Sequence, residues 1–134
     1  MGNTLIAFGL GWMVVAAFIG LYLGAKQEAH TKSLETASVL GDLAEFHRTF
    51  DAYKWRSSVH AHSMLFSLSA VMVGMVLPQT GYGAGTTELL AGALIAAIIV
   101  WTLSGLKRIR PLMGLCDLVF VATIVMTAWG IARN

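Results

Sequence analysis

Four long apolar stretches alternate with polar connections along the chain. A bilayer core about 30 Å thick requires roughly 20 mostly apolar residues in a helix, and each stretch has about that length. Inside hydrocarbon every backbone amide must be paired within its own segment, so we expect helices rather than strands. The predicted spans are 4–24, 57–77, 87–106 and 112–131. The pattern therefore predicts an all-α integral membrane protein, a four-transmembrane-helix bundle that forms a single domain over 1–134.

The connection between the first two spans has a pattern of its own. Apolar residues recur there at helical spacing and share one face: Val39, Leu43, Phe46, Phe50 and Tyr53. This spacing predicts an amphipathic interfacial helix over 39–55 that lies on the membrane surface. A helix that caps the bundle or contacts a partner explains the same pattern equally well.

Small residues mark one side of the first span. Ala16, Gly20 and Gly24 follow one another at intervals of four. Such spacing lets two helix backbones approach closely in a membrane. We therefore expect this side of the first span to contact another helix.

Composition supports a membrane protein and disfavours other classes. Hydrophobic residues make up 57% of the chain and charged residues only 12%, roughly half the charged fraction of a soluble domain. Disorder is excluded, because disordered chains are polar and charge-rich. The net charge is only +2, and the basic residues form no long stripe that would bind nucleic acid. The expected partners are membrane lipid and other membrane subunits, in a homo- or hetero-oligomer, with no nucleic acid.

Basic residues are distributed unevenly between the connections. Eight of the nine Lys and Arg residues lie in the first and third connections, and the exception is Arg133. With four spans these two connections share a side, which the positive-inside bias places in the cytoplasm. We therefore expect an integral protein of a bacterial inner membrane, with both termini outside and connections 1 and 3 cytoplasmic.

Two histidines, His60 and His62, enter the second span. Ionisable residues within a span are costly and suggest a function, and histidine is a common ligand of metals and of haem iron. Residues i and i+2 of a regular helix lie about 200° apart, so the two rings face different neighbours. A structural explanation stays open, in which both rings form hydrogen bonds with polar groups at the membrane interface.

Residues 59–62 (VHAH) resemble the haem-ligating helix of the large subunits of haem-copper oxidases and nitric oxide reductases. The first two spans resemble more closely the small four-span proteins that are similar to fragments of that superfamily. In those proteins a first span that ends like residues 20–24 (GLYLG) precedes a second that ends near a proline such as Pro78. The resemblance implies that His60 and His62 are haem ligands that face opposite ways. A second axial ligand would then come from a residue such as His47, His30 or Met64, or from a second chain.

Asp117 is a further candidate for chemistry, about 9 Å into the fourth helix and at a depth similar to that of the histidines. An unpaired carboxylate there costs on the order of 2 to 3 kcal/mol. We expect it to be protonated, paired with a base or bound to a metal ion. The metal hypothesis places copper or iron on His60, His62 and Asp117, and the structural alternative is an ion pair with a histidine, Lys107 or Arg110.

These features predict a small integral subunit of a membrane redox or respiratory complex. Its cofactor would be haem b, held by His60 and His62 with Met64 and His47 as further candidates, or it would be copper or iron. The alternative is a structural accessory subunit of a larger membrane complex without its own cofactor. A small transporter that relays protons through Asp117 is a third hypothesis. No hydrolytic or phosphoryl-transfer motif is present, so we expect no independent enzyme.

Overall fold

The computed structural model describes residues 1–134, almost all of them in helices. The five α-helices are α1 (Gly2–Ala25), α2 (Gln27–Val39), α3 (Leu43–Val76), α4 (Ala84–Leu106) and α5 (Arg110–Arg133). A 3₁₀ turn, Leu77–Gln79, follows α3. Helices α1, α3, α4 and α5 are long and apolar enough to cross a membrane. The predicted all-α fold with four helices of membrane-spanning length is confirmed, and by length and composition the chain is an integral membrane protein.

Helix α3 is much longer than a membrane crossing requires. Its 34 residues extend about 51 Å at 1.5 Å each, whereas about 20 residues cross the hydrocarbon core. Residues 43–56 therefore project beyond the apolar part of the bundle. The separate interfacial helix predicted over 39–55 is not confirmed, because Val39 ends α2 and the residues from Leu43 onward belong to α3. No glycine or proline lies between residues 43 and 73 to interrupt the helix.

The turn between α2 and α3 reverses the chain direction. Gly41 has φ +70° there, in the left-handed region that glycine enters without a steric penalty. The Asp42 amide donates to the Ala37 carbonyl at 2.9 Å, and the Gly41 amide donates to Ser38 at 3.2 Å. These two bonds form a Schellman motif, which ends α2. Asp42 then begins α3, because its side chain accepts a hydrogen bond from the Glu45 amide at 3.0 Å.

Helix α2 folds back along the projecting part of α3, and together they form a helical hairpin, 27–56. His30 of α2 contacts the ring of Tyr53 edge-on, with the ring centres 5.2 Å apart. Ala37 is buried in the same hairpin. Of the apolar face that the sequence pattern assigned to the membrane surface, α2 contacts Tyr53, whereas Val39, Leu43 and Phe50 stay exposed.

Helix α1 packs along α3 through its small residues. A Cβ atom added at Gly9 would lie only 2.7 Å from the carbonyl oxygen of Ser67. This is closer than Cβ atoms approach other atoms, so only glycine fits at this position. Gly20 is equally close to the ring of His60, whereas Gly24 has open space around it. The predicted contact of the small residues is therefore confirmed at Gly20, whereas Gly24 contacts no other helix of this chain.

Helix α3 also joins α1 to the antiparallel pair of α4 and α5. The Phe66 ring lies 5.0 Å from Trp101 of α4 and 4.4 Å from Phe120 of α5, measured between ring centres. The hydroxyls of Ser63 and Thr102 are 3.2 Å apart, so one donates a hydrogen bond to the other inside the apolar core. Helices α1 and α5 are the least enclosed spans, with 17% and 22% of their apolar stretches buried against 50% for α4.

The two ends of the bundle differ in charge and in contacts. One end, the terminal end, holds both termini, where the Asn134 side chain donates to the carbonyl of Gln79 at 3.1 Å. The opposite end, the hairpin end, holds the hairpin and the loop between α4 and α5. Eight of the nine Lys and Arg residues lie at the hairpin end. The predicted orientation across a membrane rests on this concentration of positive charge.

Candidate functional site

His60 lies between α3 and α1 and is half buried. Its Nδ1–H donates to the carbonyl oxygen of Ala16 at 3.0 Å, because a carbonyl oxygen can only accept. The ring also packs closely on Gly20, where an added Cβ would lie 2.6 Å from Cε1 and 2.9 Å from Nε2. The lone pair of neutral His60 is therefore on Nε2, against the backbone of α1.

His62 lies on a different side of α3 and is exposed. Its Nδ1–H donates to the carbonyl oxygen of Ser58, one turn earlier, at 2.8 Å. Its ring stacks on Trp101 of α4, with ring centres 5.2 Å apart and planes at 21°. Phe66 meets the ring edge-on at 6.1 Å. These contacts fix the ring and leave Nε2 available to an outside group, as hydrogen-bonded histidine ligands of metals also do.

The two histidines do not converge on one point. One contacts α1 and the other contacts α4, as residues two apart on a regular helix must. No group of three or more His, Cys, Asp and Glu side chains lies close enough together to hold a metal ion. The predicted metal set of His60, His62 and Asp117 is therefore not assembled within this chain.

Asp117 lies in α5, exposed on the outside of the bundle. The chain forms only two ion pairs, Lys32–Glu28 and Arg48–Glu45, both in the hairpin. Asp117 therefore pairs with neither histidine and with no neighbouring Lys or Arg. Its sequence neighbour Cys116 points inward and is buried.

The other predicted ligands, His47 and Met64, do not complete a metal site with His60 and His62. His47 is exposed on the hairpin and meets the Phe46 ring edge-on, with ring centres 5.9 Å apart. Met64 is half buried, one turn after His60 on α3. Two hairpin carboxylates have structural partners, since Asp42 caps α3 and Glu45 pairs with Arg48.

A haem held by this chain alone does not fit these positions. An iron ligand needs open space around its nitrogen, but the His60 ring packs so closely on α1 that a Cβ added at Gly20 would lie 2.9 Å from Nε2. His62 is exposed and offers one ligand position. A haem with two axial ligands would therefore need a second chain opposite His62.

A cavity at the hairpin end is a feature that sequence reasoning missed. Its volume is about 460 Å³, and it opens between α1, α3 and the end of α4. Three cationic side chains line it, Arg56, Lys107 and Arg108, and no carboxylate does. Its remaining walls are mainly apolar or aromatic. We call this site the basic cavity.

Trp55 forms one wall of the basic cavity. Its indole Nε1–H donates to the carbonyl oxygen of Gly105 at 2.8 Å, which links α3 to the end of α4. The guanidinium groups of Arg108 and Arg110 lie 5.8 Å and 5.6 Å from the indole ring, within reach of a cation–π attraction. The tryptophan and the loop after α4 thus position each other.

Arg108 adopts an unusual backbone conformation beside the cavity. Its φ is +59°, and it is the only residue other than glycine with a positive φ. The amide of Ile109 donates to Ser104 at 2.9 Å and that of Arg108 to Gly105 at 3.2 Å, which forms a second Schellman motif. Glycine normally occupies this position of the motif, so the arginine is held there against a steric cost.

Comparison with protein-family models, with curated proteins and with solved structures finds no match for the chain. The class of protein is therefore defined by the fold alone. It is a helical membrane protein with four helices of spanning length and a helical hairpin at one end.

Proposed function

We propose that the chain is a small integral subunit of a larger membrane complex. The observation that carries the proposal is the exposed carboxylate of Asp117 within the apolar helix α5. The residue lies seven positions after Arg110, about 10 Å along the helix. No group of the chain pairs with it.

The position of Asp117 calls for a partner because of its energetic cost. An unpaired aspartate at this depth of a spanning helix costs on the order of 2 to 3 kcal/mol. Ionisable residues within spans almost always face a bundle interior or a water-filled cavity. Asp117 faces away from its own bundle, so the bundle interior it faces is formed with another chain.

The exposed sides of α1 and α5 support the same proposal. These helices lie at the two edges of the bundle and bury the smallest share of their apolar surface. Gly114, one turn before Asp117, has no neighbouring atom within 4 Å of the place where a Cβ would stand. A partner helix could therefore approach the backbone of α5 closely beside the carboxylate.

The assembly is tested by replacing the carboxylate. Wild-type protein extracted from its native membranes in a mild detergent is expected to run as a complex larger than one chain. Asp117→Leu should release the chain as a single folded subunit, as measured by native mass spectrometry. Glu88→Gln, which removes an exposed carboxylate from the other end of the bundle, is the matched control. An unchanged complex in Asp117→Leu would refute the role of α5.

A redox role is the second candidate, and His62 is the observation that favours it. Its ring is fixed by Ser58 and Trp101 while Nε2 remains free. We propose that, in a redox complex, His62 supplies one axial ligand to haem b, or to copper or iron, shared with the partner chain. The bound cofactor would provide the electron transfer. His60 would then hold α1 against α3.

Visible spectroscopy tests the redox candidate. A complex purified from haem-replete native membranes should show a Soret band that His62→Ala removes or shifts. His47→Ala, which changes an exposed histidine on the hairpin, should leave the band unchanged. His60→Ala should change stability rather than the spectrum. A colourless complex without bound copper or iron would refute the redox candidate but not the subunit role.

A further inference from the structure

We propose that the basic cavity binds the phosphate headgroup of an anionic phospholipid, with an acyl chain lying along α1 and α4. The charge of the cavity supports this proposal. Arg56, Lys107 and Arg108 line the cavity, and none of them has a carboxylate partner. Basic pockets between spanning helices suit anionic lipid headgroups. The three uncompensated cations therefore favour an anion.

The position of the cavity selects a lipid rather than a soluble anion. Its apolar walls come from the ends of the spans, with Ile19 and Leu23 on α1 and Leu106 on α4. Its cations lie just beyond these ends, where a phosphate would stand. One molecule with a charged head and an apolar chain satisfies both halves of the cavity.

Aromatic side chains mark the membrane boundary at the same level. Tyr22 and Trp55 both line the cavity, and such residues prefer the interface between hydrocarbon and headgroups. The ammonium group of Lys26 lies 4.7 Å from the centre of the Tyr22 ring and adds a fourth cation close by. The cavity therefore lies at headgroup depth.

The cationic rim is held in place before any ligand arrives. The bond from Trp55 to Gly105 fixes the ring against the end of α4. The positive φ of Arg108 directs the loop so that its guanidinium lies near that ring. Unusual backbone conformations of this kind persist where the surrounding structure enforces them, and they cluster at ligand-binding sites.

Lipid titration of the detergent-purified chain, followed by native mass spectrometry, tests the proposal. Phosphatidylglycerol should bind more tightly than phosphatidylcholine with the same acyl chains. Arg56→Gln and Arg108→Gly should each weaken phosphatidylglycerol binding about fivefold, and together about 25-fold. Arg133→Gln removes a cation from the terminal end and should change the affinity less than twofold.

The controls separate a lipid site from a phosphate site and from a folding defect. Inorganic phosphate, in large excess at constant ionic strength, should not displace the lipid, because it lacks the acyl chain. Arg108→Gly relieves the positive φ, so the variant should fold at least as well as the wild type. Equal binding of the two lipids, unchanged affinity in the double variant, or complete displacement by inorganic phosphate would each overturn the proposal.

Discussion

Trp55 shows how one side chain can connect distant parts of this chain. Its indole N–H has a carbonyl partner 50 positions later in the sequence. The indole N–H groups of Trp12 and Trp101, by contrast, are buried without a hydrogen-bond partner. A buried donor without a partner loses its hydration and gains nothing in return. The same indole group is therefore stabilising at one position and costly at the other two.

This difference predicts unequal effects of one substitution. Trp55→Phe should lower the free energy of unfolding by about 1 kcal/mol more than Trp12→Phe, because only Trp55 loses a hydrogen bond. Trp12→Phe is the matched control, since it removes the same atoms from another partly buried site. Denaturant titration in detergent micelles measures both values. Equal losses would show that the bond to Gly105 contributes nothing.

At the scale of elements, two turns of the same type end two helices with different residues. Gly41 ends α2 with φ +70°, and Arg108 ends α4 with φ +59°. Both turns have the amide bonds of a Schellman motif. Glycine adopts this conformation without a steric cost because it has no Cβ atom, whereas the Cβ of any other residue clashes with the backbone. The hairpin turn thus has the residue that is most stable in this conformation, and the turn at the basic cavity does not.

Opposite stability changes are expected at the two turns. Arg108→Gly should raise the free energy of unfolding by about 1 kcal/mol, and Gly41→Ala should lower it by about the same amount. Both can be measured by thermal or denaturant unfolding in the same detergent. A loss of stability in Arg108→Gly would mean that contacts of its side chain outweigh the backbone cost.

The spans could be predicted from the sequence, because the length and polarity of each apolar stretch reflect the solvent around it. The hairpin could not be predicted from the sequence. The periodicity over 39–55 marks one apolar face, but a membrane and a second helix cover such a face equally well. What decides the outcome is Gly41, which ends α2, and the lack of any helix-breaking residue from there to Ser57.

The candidate sites were only partly predictable for a similar reason. The placement of His60 and His62 on different sides of α3 follows from helix geometry and could be read from their spacing. The basic cavity depends on Trp55 meeting Gly105, which no local pattern encodes. The sequence places the carboxylate of Asp117 within an apolar stretch, but whether it faces inward or outward depends on the rotation of α5, which only packing determines.

On the scale of the whole molecule, charge divides the bundle into two unlike ends. The hairpin end holds eight of the nine Lys and Arg residues, and the terminal end holds Arg133. Positive charge near the ends of spans favours the cytoplasmic side. The predicted orientation would place the proposed lipid site in the cytoplasmic leaflet, which is rich in anionic lipids.

Orientation can be measured with single cysteines. In a Cys116→Ser background, Gly83→Cys at the terminal end should react with a membrane-impermeant maleimide in intact cells. Ser38→Cys at the hairpin tip should react only after the membrane is permeabilised. Both positions are exposed, so a difference between them reports sidedness rather than burial. The reverse pattern would place the hairpin outside.

The uninterrupted length of α3 has a mechanical consequence. Its 34 residues form one continuous helix. The projecting part packs against α2, and the membrane-spanning part packs against α1, α4 and α5. We therefore expect a displacement of the hairpin tip to tilt α3 at the level of His60 and His62. A partner that binds the hairpin would then shift the membrane-spanning part of α3 without touching it.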